Sequence, residues 1–331
     1  MAKTSDELSS GQALPVASII IPTWNGAAFI DPCLRSLRTC TPLPIEIIVV
    51  DNGSQDGTLD AVRAYTDVQL IANTRNTGFA HAVNQGLHAA TGDVLLLLNQ
   101  DIVAQPNWLE PVLQRLQQDP QIGIVGSKLL YPDGRVQHAG GHLLQPSCEG
   151  VHYTDDAPAN PIDFVTGAAF AIRRACWQVI GNFDEAFYPA YFEDVDYCLR
   201  AKAHGWQVVY ESQSVLTHHE SQSRGSDYAL TINFHAQRMR LVLKHRPVEW
   251  LLDAFIANEQ ARVRENTSYV WLYAMAHVYL QAVCHAVALS QIAQHPKVNE
   301  LVHQFLALRH LALQRATPDP VGGKHHATRK I

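Results

Sequence analysis

Asp93-Val94-Leu95-Leu96-Leu97-Leu98-Asn99-Gln100-Asp101 decides the fold. Its apolar run is short, unbroken and without alternation, as expected of a strand buried on both faces of a parallel sheet. It stops abruptly at Asn99, Gln100 and Asp101. Working outward, Gly78 to Ala90 has helical periodicity, Val68 to Ala72 reads as a strand and Thr58 to Tyr65 as a helix. Before them come the strand Ile45 to Asp51, the helix Phe29 to Leu37 and the strand Ala17 to Pro22. Strands alternating with helices through short turns predict an α/β fold: a Rossmann-like, mostly parallel sheet flanked by helices.

In such sheets ligands sit beyond the carboxyl ends of the strands. Three polar clusters fall there: Thr23-Trp24-Asn25, Asp51-Asn52 and Asn99-Gln100-Asp101. Asp51 could simply cap the turn Asn52-Gly53; it could also accept from a pyrimidine N–H or a ribose hydroxyl, with Pro22 to Asn25 against the base. In Asn76-Thr77-Gly78 a small residue precedes a helix whose first N–H groups could meet a diphosphate, although an ordinary helix start looks the same.

Downstream the pattern is less regular. Ile122 to Leu130 predicts a strand, Pro132-Asp133-Gly134 a turn, and Gln137 to Pro161 a mobile loop or small hairpin. Phe164 to Ile172 predicts a strand, Asp194 to His204 a helix, and Trp206 to Tyr210 a strand leading to His218-His219. From Asp227 long helical patterns take over. The expected organisation is a disordered tail over 1–15, a catalytic-type α/β domain over 16–226, a helical region over 227–316 and a flexible tail over 317–331.

Glu193-Asp194-Val195-Asp196 follows the aromatic run Phe187-Tyr188-Pro189-Ala190-Tyr191-Phe192. Acids in a first helical turn are favoured by the helix dipole alone. An aromatic wall beside them would also exclude water, and could raise a carboxylate pKa toward that of a general base. Asp101, with His218 as a second ligand, suits a divalent metal such as Mn²⁺ or Mg²⁺.

Composition narrows the classes. The chain has 331 residues, a net charge of −6 and six cysteines without a CxxC pair, so neither a general nucleic-acid footprint nor a metal finger is expected. The cysteines read as reduced thiols of a cytoplasmic protein, and the polar N-terminus lacks the apolar core of a signal peptide. Trp271 to Ile292 reads as a largely buried helix with a polar stripe of His277, Gln281 and His285, membrane contact being the alternative. Arg238, Arg240, Lys244 and Arg246 form either an ordinary solvated face or a basic patch for an anionic lipid-linked acceptor at the cytoplasmic face of the membrane. No GxGxxG follows the first strand, which argues against a dinucleotide oxidoreductase.

Taken in order, the pieces Ile19 to Asn25, Val49 to Ser54, Asn76 to Ala80, Leu97 to Asp101 and Tyr191 to Asp196 resemble the inverting family 2 glycosyltransferases of GT-A fold. The resemblance spans roughly residues 17–222, and the later His-His looks like the bacterial rhamnosyltransferase and galactofuranosyltransferase branch. It implies a GT-A domain with a C-terminal helical extension. It further implies that Asp194 is the catalytic base and that Asp101 and His218 hold the metal. Pro22, Thr23, Asn25, Asp51, Asn76, Gly78, Asn99, Gln100, Thr166 and Gly167 would line the nucleotide-sugar site. Trp24, Tyr191 and Glu193 would face the acceptor or sugar. Asn99 departs from the family's Asp-x-Asp motif and questions a two-acid metal site. The implied reaction moves a sugar, L-rhamnose from dTDP-rhamnose as the best match, to a hydroxyl of a cell-surface polysaccharide or lipid-linked glycan. A UDP-dependent galactosyl, galactofuranosyl or N-acetylhexosaminyl transferase is the alternative, and a nucleotide-sugar binding protein without catalysis is a third reading.

Overall fold

The structure is a computed structural model that describes residues 17–155, 161–220 and 227–316. The expected tails over 1–15 and 317–331 lie outside the described residues. Two compact units emerge: the first holds residues 17–141, 152–183 and 197–220, the second 142–151, 184–196 and 227–316.

The first unit is built on one sheet. Its strands are β1 (Ala17–Thr23), β2 (Ile45–Asp51), β3 (Val68–Ala72), β4 (Val94–Leu98), β5 (Ile102–Ala104), β6 (Ile122–Leu130) and β7 (Val136–His138). β10 (Ala169–Arg173) and β11 (Gln207–His218) complete it, while β8 (Gly141–Leu143) and β9 (Gly150–His152) fall mostly in the second unit. The spatial order is β3-β2-β1-β4-β10-β6-β11-β5, with β7 on β6; β8 and β9 pair separately. The first four strands are mutually parallel, as the unbroken apolar runs demand. Beyond them the sheet is mixed: β10 runs antiparallel to both β4 and β6. Ile19 and Ile21 share one core with Leu96 and Leu98, which is the alternate-residue face of the central strands.

Helix α1 (Ile30–Cys40) covers that face with Ile30, Cys33, Leu34 and Leu37, spaced three and four apart. Helix α2 (Thr58–Arg63) follows β2. Helix α3 (Phe79–Ala89) lies close on β1, because Gly86 has no side chain; a Cβ there would fall 2.3 Å from Ile20 Cγ2. Strand ends thus stay in register at Thr23 and Asp51, which are direct partners across β1 and β2.

Two strand expectations need correction, and of the two readings for the segment after Gln137 the hairpin is the one found. The strand read at Trp206 to Tyr210 runs on to His218, so His218 is a strand residue and not part of a loop. The strand read from Phe164 begins only at Ala169, and Phe164 makes an isolated bridge to Gly141 instead. The segment after Gln137 contains the β8–β9 hairpin, with part of the expected loop (156–160) outside the described residues.

The second unit is helical, with its core around Met239, Phe255, Met275, Tyr279, Leu301 and Phe305. Its longer helices are α4 (Asp227–His245), α5 (Ile256–Glu265), α6 (Tyr269–Ala288) and α7 (Val298–Ala316). Helix α6 is long and apolar enough to cross a membrane, but only 44% of its most apolar window is buried within the protein. It is therefore less buried than expected, with Tyr273, Leu280 and Val287 exposed beside His277.

The basic cluster read from the sequence is not a free cationic face. Arg238 is fully buried and pairs bidentately with Glu259, at 3.0 and 2.8 Å. Arg240 and Lys244 both reach Asp184, at 3.1 and 2.8 Å. Desolvating a guanidinium demands a carboxylate partner, and that pairing consumes the charge a lipid would need.

Candidate functional site

The strand ends of the first unit are tied to one another by side chains. Gln100, just after β4, accepts from the Thr23 hydroxyl and, at 3.1 Å, from the Trp24 backbone N–H. Gly26 leaves room for this amide, since a Cβ there would overlap Gln100 Oε1. Asn25 adopts a left-handed backbone (φ 48°) and spans to the next loop: its N–H donates to Ser54 Oγ at 2.8 Å and its Oδ1 accepts from Gln55 N at 2.9 Å. Trp24 is 45% exposed and Pro22 half-buried.

Asp51 ends β2 and is fully buried. One carboxylate oxygen accepts from the backbone N–H groups of Gly53 and Ser54, at 3.1 and 3.0 Å. The other, Oδ1, has no hydrogen-bond partner among the described residues. A buried orphan carboxylate oxygen is costly, about 1–3 kcal/mol or more, unless a ligand donor satisfies it. The turn-capping reading of Asp51 is visible in one of its oxygens, while the other is a buried acceptor without a partner among the described residues.

Asn52 was not singled out as a site residue, yet it organises the whole Asn73–Gly78 loop. Its Oδ1 accepts from Thr77 N and Oγ1, at 3.0 and 2.8 Å, and from Asn73 Nδ2 at 3.3 Å. Its Nδ2 donates to Asn76 Oδ1 and to the Gly78 carbonyl, at 3.1 and 3.0 Å. Asn76 Oδ1 in turn accepts from Gly78 N at 2.9 Å. Asn76 thus acts as a brace at the helix start, and Gly78 supplies the φ of 90° that the bend requires. Replacing Asn52 by Ala should lower stability by about 1–3 kcal/mol, read as a reduced urea midpoint, because it strands the Thr77 N–H.

Asp101 and His218 come together. β11 pairs antiparallel with β5, placing His218 opposite Ile102, and His218 Nε2 lies 3.2 Å from Asp101 Oδ1. Both are buried. Asn99 Nδ2 is 3.4 Å from the same ring nitrogen. The other ring nitrogen, Nδ1, donates to Gln137 Oε1 at 2.7 Å. His219 is exposed and contributes only its backbone N–H, to the Asp101 carbonyl at 3.0 Å. Thr166 donates its backbone N–H to His138 Nε2 at 3.2 Å, and buried Gly167 precedes Ala168, whose carbonyl accepts from Asn99 N at 3.1 Å. Burial first, then the neighbouring imidazoles, holds His138 well below the usual histidine range.

In the second unit, Glu193, Asp194 and Asp196 occupy the first turn of the helix Glu193–Ala203. Tyr191 and Phe192, just before it, have φ of 85° and 68°, left-handed values that strain aromatic residues by about 1–2 kcal/mol each. The Phe234 ring holds them, its centroid 5.9 Å from Tyr191 and 5.0 Å from Phe192. The three acids have different fates. Asp196 is buried and bound by His245 at 2.7 Å and Lys244 at 2.8 Å. Glu193 is buried, and its Oε2 lacks a partner among the described residues. Burial, then the negative charges of Asp194 and Asp196, push its pKa well above the carboxylate range. Asp194 is half-buried, and its Oδ1 accepts from Val195 N at 2.8 Å. A raised pKa of the kind anticipated for this cluster is found at Glu193.

A family model described as "Glycosyl transferase family 2" matches residues 18–180, the stretch that carries the tied strand ends and Asp101. The chain contains a glycosyl transferase family 2 domain. Relatives of this glycosyl transferase domain include the O-antigen biosynthesis protein RfbC of Myxococcus xanthus, 33% identical over 64% of this chain. They also include the N-acetylglucosaminyl-diphospho-decaprenol L-rhamnosyltransferase of Mycobacterium tuberculosis, 26% identical over 74% of this chain and 90% of its own length. The chain spans only 26% and 18% of the first two curated relatives it matches. Among solved structures, GalNAc-T7 with UDP, GalNAc and Mn²⁺ superposes with a TM-score of 0.56 at 18% identity, covering 70% of this chain and 48% of that one. That likeness establishes the GT-A glycosyltransferase fold.

The donor chemistry at Asp101 fits a divalent cation. With the proton on His218 Nδ1 fixed by the Gln137 carbonyl oxygen, a neutral ring turns its Nε2 lone pair toward the Asp101 carboxylate. Two electron-rich atoms facing each other at 3.2 Å are compatible with a shared cation. No third His, Cys, Asp or Glu joins them among the described residues. Two protein ligands with diphosphate and water oxygens are ordinary for Mg²⁺ and its analogues. Gln137, which aims the imidazole, lies in a Gly-, Pro- and His-rich segment that offers no periodicity, so nothing in the sequence singles it out.

Proposed function

We propose that this glycosyl transferase domain belongs to an inverting sugar transferase that uses a nucleotide diphosphate sugar and a hydroxyl acceptor. The observation that carries the reading is the Asp101–His218 pair, 3.2 Å apart beyond the carboxyl end of β4. A divalent cation held there would neutralise the charge gathering on the departing diphosphate. Asp51 Oδ1 is an acceptor for a base or ribose donor, which would satisfy its buried lone pairs. Trp24, Asn25 and Gln100 shape the edge of that site.

Asp194 is the base. Asp196 is already bound by Lys244 and His245, and burial with the neighbouring acids shifts Glu193 toward its protonated form. Of the three acids only Asp194 is partly exposed, as a carboxylate that takes up the acceptor proton has to be. As that proton moves to Asp194, the acceptor oxygen bonds to the anomeric carbon. The bond from that carbon to the diphosphate oxygen breaks, its electron pair leaving with the nucleotide, and the anomeric configuration inverts. L-Rhamnose from dTDP-rhamnose is the favoured donor, supported by the mycobacterial relative's name; a UDP-hexose is the alternative. A glycan or lipid-linked glycan at the cytoplasmic face of the membrane is the proposed acceptor.

Nucleotide release from dTDP-, UDP- and GDP-sugars, with and without Mn²⁺, tests the reading. One donor should be turned over in a metal-dependent way. Gln137→Leu should weaken Mn²⁺ binding about 10–100-fold, measured by calorimetry with the nucleoside diphosphate present, because the imidazole loses its orienting acceptor. Unchanged Mn²⁺ affinity would remove His218 from the metal site.

A further inference from the structure

The second unit contains a cavity of about 450 Å³ that no step above uses. It falls in the ~300–1,000 Å³ range of small-molecule sites. Tyr188 and Pro189 line it together with Tyr228, Ile232, Asn233 and Gln237 of α4 and Gln281 of α6. Tyr188 is 55% and Tyr228 38% exposed, so both rings are accessible to a ligand.

Gln237 gives the cavity its chemical preference. It is only 6% exposed, and its Nε2 donates to the Tyr188 carbonyl at 2.7 Å and approaches Asn233 Oδ1 at 3.4 Å. These bonds fix which end of the amide is which. Its Oε1, also buried, has no partner among the described residues. A buried carbonyl oxygen of this kind calls for a hydroxyl or N–H donor. No Lys or Arg is among the described residues that line the cavity, so phosphate finds no cationic partner in that lining. An alkyl chain would leave the Gln237 oxygen unsatisfied. Accessible tyrosine rings suit the C–H face of a pyranose.

The wall of this cavity is continuous with the segment that ends in Asp194. Asn233 Nδ2 donates to the Ala190 carbonyl at 3.3 Å, and Phe234, the next residue on α4, packs on Tyr191 and Phe192. We propose that the Tyr188–Gln237 cavity binds an uncharged sugar residue of the acceptor, held by a hydroxyl donated to Gln237 Oε1 and by stacking on tyrosine. The assignment to the acceptor rests on the transferase reading; sugar binding by the cavity does not.

The test is ligand-observed saturation-transfer NMR on the full chain. The probes are methyl α-L-rhamnopyranoside, maltose and N,N′-diacetylchitobiose, with decyl phosphate as the apolar and anionic control. At least one sugar should bind and decyl phosphate should not. Gln237→Leu removes the acceptor oxygen, and Ala229→Trp, at an exposed position on the cavity lining, fills the space without disturbing a core. Each should weaken sugar binding about tenfold or more. Wild-type protein that binds none of the three sugars, prefers decyl phosphate, or binds sugar as well in Ala229→Trp overturns the proposal. UDP and dTDP are titrated in the same samples: loss of nucleotide binding in the wild type would sink the transferase reading, while the sugar signal is scored separately.

Discussion

Asp194→Asn is expected to lower the rate of sugar transfer by about 10²–10⁴ while leaving donor binding and folding intact. The amide keeps the size of the carboxylate and can still accept the 2.8 Å bond from Val195 N, so the helix start survives. What disappears is the capacity to take up the acceptor proton. Near-normal transfer by this variant would mean that another group is the base. Glu193→Gln is the matched control. Because burial and the neighbouring acids favour the protonated form of Glu193, an amide of the same shape is a close mimic of it, and most of the rate should remain. The two variants differ by one position in the chain and by orders of magnitude in expected effect. The pH dependence of stability separates them too. The folded-state pKa of Glu193 is raised, so its contribution to stability is present at low pH and lost as pH rises through that pKa. Urea midpoints of Glu193→Gln should therefore fall less than those of the wild type as the pH is raised.

The contrast between these adjacent acids also shows where sequence reading stops. The four parallel strands were readable because a strand buried on both faces needs an unbroken apolar run, and β1, β2 and β4 have one. Their polar ends followed from the rule that ligands gather there. The length of β11 was not readable: Glu211 to Ser214 is polar and breaks register with β6, which imitates a loop, before pairing resumes at Val215. Gln137 and Asn52 act through amide hydrogen bonds whose partners lie 81 and 21 to 26 residues away, and amides leave no periodic trace. Glu193, Asp194 and Asp196 form one acidic cluster in the sequence. Only helical phase decides that the first is buried with one oxygen lacking a partner among the described residues, the second half-exposed and the third paired with Lys244.

Three of the four cations in the basic cluster, Arg238, Arg240 and Lys244, have carboxylate partners that the sequence does not reveal, and the first of these pairs leads to the largest expected stability effect. Arg238 is fully buried and its partner Glu259 sits on a different helix, so charge counting along α4 cannot reveal the pair. Glu259 also accepts from Tyr279 at 3.0 Å, while Arg238 donates to the Ser147 carbonyl at 2.5 Å. Glu259→Ala leaves the guanidinium buried without its counter-charge and should destabilise the protein by about 3–5 kcal/mol, read as a lowered urea midpoint at pH 7. Replacing both partners, as Arg238→Met with Glu259→Leu, should recover most of that loss, since it removes the two desolvation penalties together. Acid should discriminate further. Burial alone would raise the Glu259 carboxyl, but the charge and hydrogen bonds of Arg238, with Arg262 and Tyr279, hold it below the usual range. A depressed carboxyl contributes stability above its unfolded pKa and loses it as pH falls through the folded one. The wild type should therefore weaken more steeply on acidification than the double variant. Parallel pH profiles for the two proteins would show that the buried pair contributes nothing to acid sensitivity.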